Sequence, residues 1–445
     1  MLDKLTSITQ RFSPDVQKIL SNTSWLLSDR ILQMGLGLFI GILVARYLGP
    51  VQFGTYNYVL SLVGMFSPIV NMGLNTIVVR DMACEPSRKN ETLGTTFGLH
   101  IIGALLTLLA SIILVYVLDP NDKLTHWLVG IIAAATMFQA FDTIDFWFQS
   151  QISSKYVVFS KQTAYVVVCA IRFVLVQIQA PLTAFAWARF AELALCAVGM
   201  AIVYISQKQY FSAWNFNWQR AKELLKESFP LIISGLAIYA YSKTDQIMLG
   251  SLLSDKSQLG FYSVAVKLAE IFDFLPVIVA SSLLPKLSQV KASGDDYTEK
   301  MQIYFDIMLL LWVIIAVPIC LCSYWIVTLL YGAYYAPAAS ILSIYVFGQF
   351  SSNLGVARSS FLTIENKLHY SLYFSIAGAA LNIALNLYLI PKYQAVGATF
   401  ATLITYFAVT VIPNYIISDL KPVGAWILQS LNLYNAALRI LRLCR

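Results

Sequence analysis

Residues 92–118, TLGTTFGLHIIGALLTLLASIILVYVL, form a run that contains no Asp, Glu, Lys or Arg. A helix needs about 20 mostly apolar residues to cross the roughly 30 Å hydrocarbon core of a bilayer, so this run predicts a membrane-spanning helix. Apolar stretches of about 20 residues, some with a few charged residues, occur twelve times along the chain. They lie near residues 25–48, 55–79, 92–118, 127–148, 157–178, 183–205, 229–249, 259–285, 303–323, 340–361, 370–390 and 395–418.

The composition of the whole chain supports this prediction. Of the 445 residues, 58% are hydrophobic and 12% are charged. That charged fraction is about half the fraction usual in soluble domains, and a soluble protein of this length would leave too much apolar surface in water. A cytosolic enzyme, a secreted disulfide-bonded domain and a disordered regulator are thereby excluded. We predict an all-α polytopic membrane protein with about twelve transmembrane helices.

The positions of the basic residues predict the orientation. If the N-terminus is cytoplasmic, twenty Lys and Arg residues lie in cytoplasmic segments and four lie on the outer side. Basic residues accumulate in cytoplasmic loops of membrane proteins, so we expect both termini inside the cell. The net charge of +7 is explained by these loops and gives no reason to expect a nucleic-acid partner.

The longest polar connection between spans, residues 207–228, separates six predicted spans before it from six after it. An even number of spans gives the two halves the same orientation, as parallel repeats require. A short echo between Leu48–Tyr56 (LGPVQFGTY) and Leu259–Tyr262 (LGFY) supports a repeat. We therefore predict two six-helix lobes around a central cavity, with a linker and a tail on the cytoplasmic side. The predicted boundaries are 1–206 for the N-terminal lobe, 207–228 for the linker, 229–418 for the C-terminal lobe and 419–445 for an amphipathic tail.

Motifs for catalysis, metal binding and cofactor binding are missing from the sequence. There is no Walker P-loop, and the three histidines are scattered without metal-ligand spacing. The glycines Gly35, Gly37 and Gly41 lie within an apolar helix and are better explained by close helix packing than by nucleotide binding. The predicted outer loops are short, which disfavours a glycan polymerase or ligase. We expect no catalytic residue, no metal, no cofactor and no enzyme activity.

Four basic residues inside predicted spans are candidates for substrate binding: Arg30, Arg172, Lys267 and Arg358. Ionisable groups in the bilayer core are costly, so they usually face a cavity or a partner. Arginine binds phosphate through two parallel hydrogen bonds and lysine binds it as a point charge, so a basic cavity suits an anionic headgroup. The alternative for each is an internal salt bridge, as expected for Arg189 and Glu192, which are spaced i,i+3.

Two acidic residues, Asp245 and Glu270, are candidates for ion coupling. Asp245 lies five residues before the outer turn at Gly250, about 7.5 Å along a helix, where a carboxylate could exchange a proton with the outer solution. Glu270 lies one helical turn from Lys267, which should hold it ionised. For Asp245, the alternatives are a salt bridge to Lys243 or to another helix, or a cap for an outer turn.

Several segments together resemble a known family. They are Ala45–Tyr56 (ARYLGPVQFGTY), Asp245–Gly250 (DQIMLG), Gly260–Leu268 (GFYSVAVKL), Pro285–Leu287 (PKL), Asn386–Pro391 (NLYLIP) and Val396–Ala398 (VGA). Their order and spacing resemble those of the polysaccharide (O-antigen type) flippases of the multidrug/oligosaccharidyl-lipid/polysaccharide exporter superfamily. The resemblance extends to about Ser418. One departure is Gln394-Ala395, where the family often has a glycine.

The resemblance implies a V-shaped fold of two six-helix lobes in the bacterial cytoplasmic membrane. It implies translocation of an undecaprenyl-pyrophosphate-linked oligosaccharide between the leaflets, with basic cavity residues. Membrane lipids would be partners, as would a polysaccharide polymerase and a chain-length regulator. A cation-coupled multidrug antiporter is the main alternative and would need an anionic cavity. A membrane polymerase or ligase is the other alternative.

Overall fold

The computed structural model describes residues 14–293 and 296–443, apart from the side chains of residues 14–24, 26–29, 31, 241 and 443. No β-strand occurs within these ranges. The chain divides into two compact units, and the division falls inside two long helices. Unit 1 comprises Met1–Leu48 and Val59–Leu236, and unit 2 comprises Gly49–Tyr58 and Ala237–Arg445.

Unit 1 is built from the first eight helices and the beginning of the ninth. They are α1 (Pro14–Gly64), α2 (Ser67–Asn71), α3 (Asn75–Cys84), α4 (Lys89–Leu118), α5 (Lys123–Ala135), α6 (Asp142–Ser150), α7 (Lys155–Gln177), α8 (Leu182–Ser206) and α9 (Trp218–Leu252). A buried apolar core that includes Val78, Leu93, Phe148 and Tyr204 joins α3, α4, α6 and α8.

Unit 2 contains the end of α9 and the remaining helices. They are α10 (Ser257–Ala269), α11 (Phe274–Ser293), α12 (Tyr297–Tyr331), α13 (Ala338–Ile364), α14 (His369–Thr410), α15 (Pro413–Ile416), α16 (Lys421–Ser430) and α17 (Leu433–Leu443). Its main buried cluster includes Phe305, Leu354, Phe361 and Trp426, from α12, α13 and α16.

Each of the twelve predicted stretches falls on helical structure, so the all-α polytopic fold is confirmed. Within the described residues, seven helical segments are long and apolar enough to cross a membrane. Two of them, Leu32–Cys84 and His369–Ile416, have 53 and 48 residues, about twice the length that one crossing needs. Both are interrupted by non-helical backbone, at Gly49 and at Gln394. The exposed apolar faces, such as Leu109, Ile113 and Val117 of α4, suit contact with lipid.

The predicted linker, 207–228, is partly helical. Phe211–Ala213 forms a 3₁₀ turn, and α9 already begins at Trp218 and continues to Leu252. Ion pairs fix the first turns of α9 in unit 1: Arg220 contacts Asp81 at 2.5 Å and Glu227 contacts Arg80 at 2.6 Å. These pairs join the polar start of α9 to α3.

The predicted amphipathic tail consists of two helices, α16 and α17, separated at Leu431 and Asn432. Arg439 of α17 donates two hydrogen bonds, of 2.6 and 2.8 Å, to the fully buried carboxylate of Asp306 on α12. Ser430 and Gln302 also donate to Asp306, at 2.7 and 2.9 Å. This clamp holds the tail on unit 2, and its hydrogen bonds raise the pKa of Arg439. Cys444 and Arg445, also part of the predicted tail, lie outside the described residues.

The turn at Gln394 has a backbone that favours glycine. Its φ of 52° and ψ of −133° interrupt α14 just after Pro391. A side chain is disfavoured in this region because its Cβ approaches the backbone, whereas glycine adopts it readily. The departure from the family pattern at Gln394 therefore places a strained residue at this turn.

Residues 49–58 belong to unit 2, and they approach α10 closely at two glycines, Gly54 and Gly260. A Cβ added at Gly54 would lie 2.0 Å from the carbonyl oxygen of Lys256, and one added at Gly260 would lie 2.1 Å from that of Pro50. A Cβ added at Gly250 would lie 2.1 Å from the ring of Tyr58. We call this reciprocal contact between Pro50–Gly54 and Lys256–Gly260 the glycine contact. It joins the two turns that share the sequence echo.

We predict that Gly260→Ala lowers the stability of the protein by about 1–3 kcal/mol, because the added methyl group overlaps the Pro50 carbonyl. Gly130→Ala is the matched control, since Gly130 is also helical and an added Cβ meets nothing within 4 Å. There we expect no loss, or a gain within about 1 kcal/mol. Thermal unfolding of both variants in detergent checks this. Equal unfolding temperatures for the two variants would contradict it.

Candidate functional site

In unit 1, a carboxylate on α8 connects two arginines on different helices. Arg172 of α7 donates through Nη2 to Oε2 of Glu192 at 2.5 Å. Arg189 donates through Nη1 to Oε1 of the same carboxylate. The pair expected from the i,i+3 spacing of Arg189 and Glu192 is therefore present, with Arg172 as an additional partner. Glu192 is buried, and the side chains of Arg172 and Arg189 are 17% and 33% exposed.

A second charged group in unit 1 lies nearer to the start of α7. Lys161 contacts Asp142 at 3.1 Å and Asp145 at 2.8 Å, both at the start of α6. The hydroxyl of Tyr165, one turn after Lys161, donates to the Gln33 carbonyl of α1 at 3.4 Å. Two carboxylates thus neutralise one lysine and leave this group with a net negative charge.

The basic candidate Arg30 lies on α1 in unit 1, and its side chain is exposed. Asp29 precedes it, but the Asp29 side chain is outside the described residues. Lys267 lies on α10 in unit 2 and is also exposed, among buried neighbours on both sides. An exposed basic residue on a membrane helix needs water or an anion near it.

Arg358 of α13 is buried in unit 2 against the end of α14. Its Nη1 donates to the carbonyl oxygens of Val409, at 2.5 Å, and Thr410, at 3.1 Å. Its guanidinium lies 4.5 Å from the centre of the Phe374 ring. Arg358 lines a pocket of about 290 Å³, whose other lining residues are Ser351, Ser352, Gly355, Val356, Ser359, Tyr406 and Thr410.

The carboxylate of Asp245 is buried in unit 2 and is bound by neutral donors. The Tyr262 hydroxyl of α10 donates to it, and so does the backbone N–H of Gln246, at 2.7 Å. Thr402 of α14 donates to it at 3.4 Å. Lys243, the alternative partner expected from the sequence, instead contacts Glu270, at 3.5 Å.

Helical spacing indicated the candidate residues but not their partners on other helices. These partners lie 17 to 157 positions away in the chain. Glu192 is the partner of Arg172, and Tyr262 and Thr402 donate to Asp245. Hydroxyl groups carry no charge, so no pattern in the sequence indicates them as partners. Among the described residues, no group of three or more His, Cys, Asp or Glu side chains has a metal-binding arrangement.

The helices and the charges buried among them define an all-α polytopic membrane protein. Comparison with known families then identifies the branch. The family model described as "Polysaccharide biosynthesis protein" matches residues 19–291, and the MatE model matches residues 230–388. The chain belongs to the polysaccharide biosynthesis protein family, the polysaccharide flippases of the exporter superfamily that it resembles in sequence.

Individual relatives agree with this assignment. Capsular polysaccharide biosynthesis protein CapF of Staphylococcus aureus is 23% identical over 390 residues, which cover 83% of this chain and 92% of CapF. The fold is similar to that of the lipid II flippase MurJ in an inward closed conformation, with a TM-score of 0.69 and 16% identity over 95% of this chain and 96% of MurJ. An inward-facing multidrug resistance MATE family transporter has a TM-score of 0.65 and 12% identity, covering 92% and 95% of the two chains.

Proposed function

We propose that this protein translocates an undecaprenyl-pyrophosphate-linked oligosaccharide from the inner to the outer leaflet of the bacterial cytoplasmic membrane, for export of a surface polysaccharide. The observation that carries the proposal is family membership over residues 19–291, together with a fold similar to that of a lipid II flippase. CapF, the capsular polysaccharide protein, supports the same class of substrate. A polysaccharide polymerase and a chain-length regulator would act on the exported product.

The proposed role of Arg30 and Lys267 is to attract the pyrophosphate. Both are exposed side chains on helices of a membrane protein, one in each unit. Hydrogen bonds from charged donors to phosphate are about twice as strong as neutral ones, so these residues suit an anionic headgroup. Arg172 and Arg358 hold contacts to Glu192 and to backbone carbonyls, and we propose that they add positive potential to the substrate path.

We propose that both termini are cytoplasmic, from the bias of basic residues described above. The glycine contact then lies at the outer end of the helices. Both sides of the contact belong to unit 2, where Gly54 and Gly260 each approach a backbone carbonyl of the other segment.

We propose Asp245 as the site of ion coupling, with Glu270 as the second candidate. The chain has no nucleotide-binding motif, so uphill transport would need an ion gradient or consumption of the product. Asp245 is held by hydroxyl and backbone donors from α9, α10 and α14, so a change in its charge would affect three helices. Glu270 contacts Lys243 at 3.5 Å, which joins α9 to the turn after α10.

A cation-coupled multidrug antiporter is the second candidate, since the MatE model matches residues 230–388. Exposed lysine and arginine side chains favour an anionic substrate over a cationic drug. If loss of the protein sensitised cells to cationic drugs and left the surface polysaccharide unchanged, the antiporter would be favoured.

We expect Arg30→Ala or Lys267→Ala to reduce export of the surface glycan at least about tenfold, the effect of losing one charge-assisted hydrogen bond to phosphate. Lys123→Ala, at the exposed start of α5, is the control that removes a charge outside the spans. Surface glycan and protein level are measured in cells that carry each variant as the sole copy. Full export by the Arg30→Ala, Lys267→Ala double variant, at normal protein level, would refute the role of both residues.

For coupling, we expect Asp245→Asn to abolish any dependence of transport on an imposed pH gradient while substrate binding is kept. The amide oxygen still accepts hydrogen bonds from Tyr262 and Thr402, but the side chain no longer exchanges a proton. Asp255→Asn is the control, because Asp255 lies in the exposed turn before α10. Transport into proteoliposomes with and without the gradient measures the effect. A gradient dependence that survives in Asp245→Asn would leave this residue a structural role only.

A further inference from the structure

The last helix of unit 2, α17, turns a charged side chain toward the protein. Arg439 is bound by the buried carboxylate of Asp306 on α12, through the two hydrogen bonds described above. Ala436, almost one helical turn before Arg439, is fully buried. Ala436 and Arg439 therefore mark the side of α17 that packs on unit 2.

The opposite side of α17 is apolar and exposed. Tyr434 and Leu441 are 75% and 60% exposed, and Leu438 between them is half-buried. At about 100° per residue, these three side chains lie within about 60° of one another, and Arg439 lies about 140° from Tyr434. An amphipathic helix of a soluble domain would have the opposite orientation, with its apolar side against the protein. We call Tyr434, Leu438 and Leu441 the apolar face of α17.

The contact with Asp306 fixes the level of α17 relative to the membrane. Asp306 is the last charged residue of α12, and the 25 residues that follow it, 307–331, carry no charge. At 1.5 Å per residue this uncharged part of α12 is about 37 Å long, enough to cross a hydrocarbon core of about 30 Å. Asp306 therefore lies where α12 enters the hydrocarbon, and Arg439 places α17 at the same level.

A third side of α17 is polar. Asn435 and Arg442 are both exposed, and they lie between the apolar face and the side that packs on unit 2. Residues 421–443, which form α16 and α17, contain three basic residues and no acidic residue. A helix with an apolar side and adjacent basic residues is suited to the surface of an anionic membrane.

We propose that α17 is an interfacial helix that binds anionic phospholipid, with its apolar face against the acyl chains and Arg442 at the headgroups. Its Arg439 contact with Asp306 joins this lipid to α12, so the lipid holds the position of a membrane-spanning helix of unit 2. Lipid is the occupant because the apolar face lies where α12 enters the hydrocarbon, and because the charge of Arg442 complements an anionic headgroup. The lipid contact goes beyond the proposed function, and only its assignment to the inner leaflet rests on the proposed orientation.

The orientation of α17 is tested by labelling with a membrane-impermeant maleimide, on the full-length protein at one copy per lipid nanodisc. We expect Leu441→Cys to react at least about tenfold more slowly than Asn435→Cys, because apolar surroundings disfavour the reactive thiolate. Tyr434→Cys, also on the apolar face, should react as slowly as Leu441→Cys. Peptide mass analysis separates each labelled position from the native cysteines. Equal rates at all three positions would overturn the proposal.

The same labelling in native membranes distinguishes lipid from protein as the occupant. Slow reaction of Leu441→Cys both in native membranes and in nanodiscs supports lipid, because a nanodisc with one copy holds no other protein to cover the face. Slow reaction in native membranes with fast reaction in nanodiscs would mean that a second copy or another protein covers the face, and the proposal would then be wrong.

The preference for anionic lipid is tested by amide hydrogen exchange over residues 433–443. We expect exchange to be about fivefold slower in nanodiscs that contain phosphatidylglycerol than in nanodiscs of phosphatidylcholine alone, the effect of one basic residue at an anionic surface. Arg442→Gln should remove most of this difference. Lys123→Gln, an exposed cation at the start of α5, is the matched control and should retain it. Equal exchange of the unchanged protein in the two lipids would overturn anionic phospholipid as the partner.

Discussion

The cost of an isolated charge in hydrocarbon is the constraint on which the rest of this structure depends. On insertion scales that cost is about 2.5–3.5 kcal/mol for each residue, and a folded protein is stable by only about 5–15 kcal/mol. A few uncompensated charges would therefore equal the whole stability of a domain. The contacts that compensate them also decide which helices lie together: Glu192 connects α7 with α8, and Asp306 connects α12 with α17.

The helices of this fold were predictable because membrane spans leave a strong signal. Each span must be long and apolar, so all twelve predicted stretches fall on helices. The breaks at Gly49 and Gln394 fall between neighbouring predicted stretches, so they were predictable as well, although the helix resumes directly after each. The start of α9 at Trp218 was not predictable. Its first turns pair with Asp81 and Arg80, which lie more than a hundred residues away in the chain.

The candidate site was predictable in kind but not in arrangement. Charged residues inside apolar stretches are conspicuous, so Arg172, Asp245 and Arg358 could be singled out from the sequence. Their surroundings depend on how helices pack, which spacing along one helix does not reveal. Arg358 contacts backbone carbonyls at the end of α14, and Asp245 contacts the hydroxyl of Tyr262. Both kinds of partner are common in every helix, so no pattern marks the ones that are used.

The glycine contact has a consequence for the conditions under which the protein works. Its closest approaches are between backbone atoms of Pro50, Gly54, Lys256 and Gly260, which carry no net charge. One cation lies beside them: the Lys256 ammonium donates to the Gly250 carbonyl and lies 4.7 Å from the centre of the Tyr58 ring. The contact therefore depends on shape at its centre and on a single charge at its edge. Dissolved salt screens the charge and leaves the shape unchanged, so most of this contact is independent of the salt content of the medium.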